Sequence, residues 1–133
     1  MKARSRSLWL EVASAVAHLH QRGVMHGDLY AHNILIDPVH GQAQLGDFGA
    51  ATRLPEDQPQ LSQRLQALEV RALGCLLEEL GAAVNAPGTH AETQGLQALA
   101  RACLSEQPRQ RPTVAEVAQA LQGMQVLQAT EPG

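Results

Sequence analysis

Aromatic side chains are nearly missing from this 133-residue sequence, which holds one Trp, one Tyr and one Phe. Stacked rings cannot build its core, so Leu, Val and Ala must do so. The three that occur are Trp9, Tyr30 and Phe48. Cysteine is scarce too: Cys75 and Cys103 fall within apolar helical patterns, where buried reduced thiols are expected and nothing indicates a disulfide framework. Lysine occurs once, at Lys2, in a start expected to be disordered. With a net charge of −3, the chain carries no electrostatic footprint for nucleic acid or an anionic membrane. It has no uninterrupted apolar span long enough for a bilayer and no visible signal peptide, so a cytoplasmic location is expected. No internal repeat is apparent, and the length fits one domain able to bury a real core.

Hydrophobic periodicity places the elements. Leu8, Val12, Val16 and Leu19 predict a helix from about Ser7 to Gln21, ended by Gly23. Val24 and Met25 are a short apolar step. Ile34-Leu35-Ile36 and Ala43-Gln44-Leu45 read as two strands around the turn chemistry of Asp37-Pro38-Val39-His40-Gly41. Residues 50–62 read as an exposed loop. A helix from roughly Gln63 to Leu80, with Leu65, Leu68, Ala72, Leu73, Leu76, Leu77 and Leu80, is apolar over more than a stripe and is expected to be central and largely buried. Gly74 within it costs about 1 kcal/mol relative to Ala, so a close approach of another backbone, that of residues 26–33, is expected there. After a loop over 81–90, Glu92 to Leu104 predicts a helix with Leu96, Leu99, Ala100 and Cys103 inward. Thr113 and Glu116 form a capping box before a last helix with Val114, Val117, Ala118, Leu121 and Met124 on its apolar face. Residues 128–133 read as a disordered tail.

Two motifs carry chemistry. The first is His26-Gly27-Asp28-Leu29-Tyr30-Ala31-His32-Asn33; the second is Asp47-Phe48-Gly49. A lone Asp-Phe-Gly is ordinarily just a turn. His26, Asp28 and His32 could alone hint at a metal site, but no second ligand pair at helical spacing completes one. Together, in this order and joined by a hairpin, the motifs resemble the catalytic loop and the metal-binding loop of the protein kinase family, whose first loop reads His-Arg-Asp-Leu-x-x-x-Asn. Glu69 to Leu80 also resembles that family's central helix, and Arg111-Pro112-Thr113 its late Arg-bearing signature. Bacterial kinase domains attached to leucine-rich repeats look similar around His26–Leu35 and Glu69–Leu80.

The resemblance implies a fold that is mainly α with a small β-hairpin: a protein-kinase-like C-terminal lobe over residues 1–127, with ATP and Mg²⁺ as cofactors. Asp28 would be the catalytic acceptor of the substrate hydroxyl proton, with His26 as a scaffold of that loop. Asn33 and Asp47 would hold Mg²⁺, Phe48 would set the pose of Asp47, and Gly49 would allow the turn after it. Glu69 would brace the catalytic loop, and Arg111 would make a buried ion pair. Hard oxygen ligands of this kind suit Mg²⁺, and phosphoryl transfer requires mainly positioning and charge neutralisation.

Departures from the family's pattern shape the rest. No Gly-rich phosphate loop, Val-Ala-x-Lys strand or Glu-bearing helix is found, so an N-lobe or partner chain is needed to complete the cleft, and weak or no ATP turnover is expected without it. Gly27 replaces the Arg that receives an activation-loop phosphate. Tyr30 stands where Ser/Thr kinases often carry Lys. The segment between Gly49 and Glu69 is short and lacks Ala-Pro-Glu, so Arg111 must find another acceptor, Glu69 or a carbonyl. The expected function is ATP/Mg-dependent transfer to Ser or Thr of a protein substrate. The alternatives are a non-catalytic pseudokinase-type binding module and a small-molecule phosphotransferase of the aminoglycoside or choline type, whose loop also reads His-Gly-Asp.

Overall fold

A computed structural model describes residues 2–30, 33–36, 39, 43–46, 48–84 and 90–130. Among the described residues four α-helices, α1 (Lys2–Gln21), α2 (Pro59–Val84), α3 (His90–Cys103) and α4 (Val114–Thr130), enclose the core, and four short strands, β1 (Val24–Met25), β2 (Ile34–Ile36), β3 (Ala43–Leu45) and β4 (Thr52–Arg53), lie between α1 and α2. Among the described residues no helix is long and apolar enough to cross a membrane.

The core is aliphatic, as the shortage of rings requires. Val12, Ala13 and Val16 of α1, Val70, Leu73, Leu76 and Leu77 of α2, Ala100 and Cys103 of α3, and Val114, Val117 and Leu121 of α4 are buried together, with Trp9 as the one ring among them. Each position follows the three-to-four-residue spacing of one helical face. Truncating a fully buried leucine such as Leu73 or Leu121 in this setting costs about 2–5 kcal/mol.

Several boundaries differ from the pattern-based expectation. Helix α1 begins at Lys2, so the lysine expected in a disordered start opens the helix. Helix α2 begins at Pro59 and runs through Val84, taking in residues expected to be loop on both sides. Proline fits there because the first helical N–H has no intrahelical partner to lose. Helix α4 continues to Thr130, past the expected boundary at 127. Leu68 and Cys75 lie on an exposed face of α2, with Leu68 57% exposed, so that helix is less enclosed than its leucine content predicts. The side chains of Leu8, Leu80 and Met124 lie outside the described residues.

Gly74 does mark a close approach, but to α3 rather than to the His26–Asn33 loop. A Cβ there would sit 2.7 Å from the Cys103 Cβ and 3.2 Å from the Ala100 carbonyl oxygen. The missing side chain lets α2 and α3 pack at short range.

The strands form two antiparallel pairs. In one, Ile34 pairs with Leu45, Leu35 with Gln44 and Ile36 with Ala43. In the other, Val24 pairs with Arg53 and Met25 with Thr52, and the Leu54 N–H donates to the Gly23 carbonyl at 2.7 Å. This second ribbon crosses from the end of α1 to the segment entering α2.

Candidate active site

The loop starts where α1 ends. Gly23 takes φ +76°, a left-handed conformation natural to glycine, and turns the chain into β1. Gly27 takes φ +84°, and a Cβ on it would collide with the Ala50 carbonyl oxygen. Glycine in place of arginine is therefore more than a lost cation: the backbone here is left-handed and pressed against the turn at Phe48–Ala50.

His26 is fully buried and works through both ring nitrogens. Nε2 donates to the Gly46 carbonyl at 2.7 Å, and Nδ1 accepts the Asp28 N–H at 3.1 Å. These two bonds fit the Nε2–H tautomer. One side chain thus ties the loop to the end of β3 and shapes the backbone at Asp28.

The Asp28 carboxylate is half-buried. Asn33, five residues on and 4% exposed, donates from Nδ2 to the Asp28 carbonyl at 2.5 Å and to Asp28 Oδ2 at 3.2 Å. The amide nitrogen is committed to Asp28, so the amide oxygen is the Asn33 atom suited to a metal. The Gly46 N–H donates to the Asn33 carbonyl at 2.8 Å. The hairpin therefore brings Asn33 beside Gly46, the residue preceding Asp47. Asp47 lies outside the described residues, as does His32. Phe48 and Gly49 belong to a short 3-10 turn, Phe48–Ala50, and Gly49 is not among the described glycines with positive φ. No group of three or more His, Cys, Asp or Glu able to hold a metal occurs among the described residues.

Glu69 reaches this loop from α2. One carboxylate oxygen, Oε1, accepts the His26 N–H at 2.8 Å and lies 3.0 Å from His20 Nε2; the other, Oε2, accepts the Gly27 N–H at 2.8 Å. Burial opposes ionisation of this 3%-exposed side chain. The bonds from His20, Gly27 and His26 outweigh that cost and hold its pKa below the usual carboxylate range. His20, in the last turn of α1, was not singled out by sequence reasoning. Its neighbour His18 faces outward and accepts from Arg22 Nε at 3.1 Å. Two histidines one residue apart look alike in sequence, and only the packing of α1 against α2 tells them apart.

Arg111 is bonded to carbonyls: Nε donates to Ser105 at 2.8 Å and Nη1 to Ala67 at 3.0 Å. No salt bridge to Arg111 occurs among the described residues; its Ala67 bond anchors the segment before α4 to α2, two residues from Glu69. Cys103 is buried and Cys75 is exposed, which corrects the expectation of two buried thiols.

A helical lobe carrying a His-x-Asp loop, an Asn five residues on and a hairpin before Asp-Phe-Gly has the pattern of a protein-kinase-like lobe. Comparison with known sequences agrees. The sequence model described as Protein kinase domain matches residues 1–72, and the chain belongs to the protein kinase family. It is 51% identical over 47 residues to the serine/threonine-protein kinase AtPK2/AtPK19 of Arabidopsis thaliana, covering 35% of this chain and 10% of that one. It is 29% identical over 87 residues to the protein kinase MCK1 of Saccharomyces cerevisiae, covering 53% and 23%. With PrkC of Bacillus subtilis it shares 48% identity over 44 residues, covering 33% and 7%. The chain thus spans no more than about a quarter of these relatives. Among solved structures it resembles one described as a divergent kinase lacking the glycine-rich loop that regulates membrane ultrastructure of the Toxoplasma parasitophorous vacuole. That match has a TM-score of 0.72 and 20% identity, and covers 90% of this chain and 43% of the other. At this identity the likeness concerns the fold: a kinase-like lobe, mainly helical with small antiparallel ribbons.

Proposed function

We propose that this chain is the acceptor-activating and metal-holding half of an ATP-dependent protein kinase acting on Ser or Thr. The observation that carries this reading is the bonding within residues 26–33: Asn33 Nδ2 holds both the backbone and the carboxylate of Asp28, and His26 and Glu69 fix the loop beneath them. A half-buried carboxylate with its backbone fixed in this way can orient an acceptor hydroxyl and take its proton. Preorganisation matters because the protein does little covalent work in phosphoryl transfer.

The donor set fits Mg²⁺. The amide oxygen of Asn33 and the carboxylate of Asp47 are hard oxygen ligands, and the committed nitrogen of Asn33 fixes which of its atoms is offered. When bound, the metal supplies charge neutralisation at the phosphates of ATP. The rest of the nucleotide cleft comes from a further lobe or a partner chain.

The test is phosphoryl transfer from labelled ATP with Mg²⁺ to generic protein acceptors, by the protein expressed from its complete reading frame. Asp28→Asn is expected to lower kcat about 10²–10⁴-fold while the far-UV circular dichroism stays unchanged. Full activity in Asp28→Asn would remove Asp28 from the reaction. Transfer to aminoglycosides or choline in place of protein would favour the small-molecule reading that the His26-Gly27-Asp28 triplet also allows.

A further inference from the structure

A cavity lies apart from the Asp28 loop, between the first half of α2 and the segment leading into α4. It has a volume of about 460 Å³, and none of His26, Asp28 or Asn33 lines it. Its charge is unusual for this chain. Arg64, Arg109 and Arg111 line it, and among the described residues no acidic side chain does, in a protein whose net charge is −3. Three carboxylates lie within two residues of the lining in sequence, Glu69, Glu106 and Glu116; Glu106 is exposed, and the other two are committed elsewhere. Glu69 is held by His20, His26 and Gly27, and Glu116 accepts the Thr113 N–H at 2.9 Å as half of the capping box.

The accessible apolar part of the lining comes from Ala67, Pro108 and Pro112, with Val70 and Val114 buried, and Gln60, Gln63 and Gln66 line the cavity as well. The Arg111 guanidinium has five N–H donors, of which the bonds to Ser105 and Ala67 use two. The remaining donors belong to a side chain that is held in place and lines the cavity. A guanidinium fixed in this way gives up less rotamer freedom when it forks onto a carboxylate.

We propose that this cleft docks an extended acidic peptide segment of a partner protein. Its carboxylates would meet Arg64, Arg109 and Arg111, its apolar side chains would rest on Ala67, Pro108 and Pro112, and its backbone would pair with the glutamine amides. The volume lies within the range of about 300–1,000 Å³ usual for ligand clefts. A peptide fits better than a nucleic acid. Part of the lining is apolar, and among the described residues no aromatic side chain lines the cavity on which bases could stack.

Fluorescence anisotropy tests the assignment directly. The probe is a fluorescein-labelled octapeptide in which glutamates alternate with leucine and alanine. Its controls are the same peptide with Gln for every Glu, and a single-stranded oligonucleotide of equal charge. The glutamate peptide is expected to bind about tenfold more tightly than either control, with an affinity that falls as salt rises. The double change Arg64→Gln with Arg109→Gln, both at exposed positions, is expected to weaken it about tenfold while the melting temperature stays unchanged. Equal affinity for the Glu and Gln peptides, undiminished binding by the double variant, tighter binding of the oligonucleotide, or no peptide binding at all would each overturn the proposal.

Discussion

Replacing Glu69 by Gln isolates the charge that braces the loop, because the two side chains have the same shape. In the native protein both carboxylate oxygens accept: Oε1 from His26 N–H and beside His20 Nε2, and Oε2 from Gly27 N–H. Glutamine offers one acceptor and one NH₂. Its oxygen will turn to the buried His26 N–H, leaving the NH₂ facing the partly buried Gly27 N–H, donor against donor. One unsatisfied, partly buried donor costs about 1–2 kcal/mol. The bonds that remain lose their charge assistance, which is about half their strength, or about 1 kcal/mol more. The expected loss is therefore about 2–3 kcal/mol. It would be read as a lower urea midpoint at unchanged slope, with unfolding followed by far-UV circular dichroism. A pH series adds an independent check. The folded pKa of Glu69 lies below its ordinary value of 4.5. Its contribution is thus fully present above pH 4.5 and is lost as pH falls through the lowered folded value. The wild-type protein should lose stability along that acid limb, and Glu69→Gln should show a shallower one. A loss below about 0.5 kcal/mol, or an identical acid limb, would refute the brace.

Three other expectations follow from the same structure. Gly74→Ala should destabilise the fold by about 1–3 kcal/mol through overpacking against Cys103 and Ala100, despite the better helix propensity of alanine; Gly23→Ala meets nothing within 4 Å and should cost only the left-handed backbone term of about 1–2 kcal/mol, so paired thermal melts separate packing from conformation. An aromatic disulfide reagent should titrate Cys75 alone in the native state, because Cys103 is fully buried and its thiol is pushed up to about 11 by that burial; Cys103 should react only on unfolding. Thr113→Ala removes the hydroxyl that accepts the Glu116 N–H at 3.1 Å and should lower stability by about 1 kcal/mol in the same denaturant assay.

The parts of the fold legible in the sequence are those governed by local rules. The β2–β3 hairpin follows from a continuous apolar triplet, Ile34-Leu35-Ile36, and an alternating one, Ala43-Gln44-Leu45, separated by a Pro- and Gly-bearing stretch of sequence. The Thr113–Glu116 capping box is a four-residue device and lies where its spelling places it. Helix α1 was legible as an element but not in its start, since propensity fixes a helix better than its ends. The β1–β4 ribbon was not legible. Two residues of strand at each end carry no periodicity, and their partners are far apart in the chain.

The same division runs through the site. Sequence by itself determined the residue types and the order of the proposed catalytic loop: an Asp with an Asn five residues on, behind a histidine and a glycine, because oxygen-bearing side chains and a left-handed turn are properties of single residues and short spacings. Tertiary structure alone decided what holds that loop. His20 and Glu69 meet across 49 positions, and Arg111 exchanges a carboxylate for the carbonyls of Ser105 and Ala67. It also decided that the glycine helix contact at Gly74 belongs to α3. The physical reason is that burial and long-range hydrogen bonds depend on which helix faces meet. That choice is made by the summed packing of Leu, Val and Ala across four helices, and no local segment contains it.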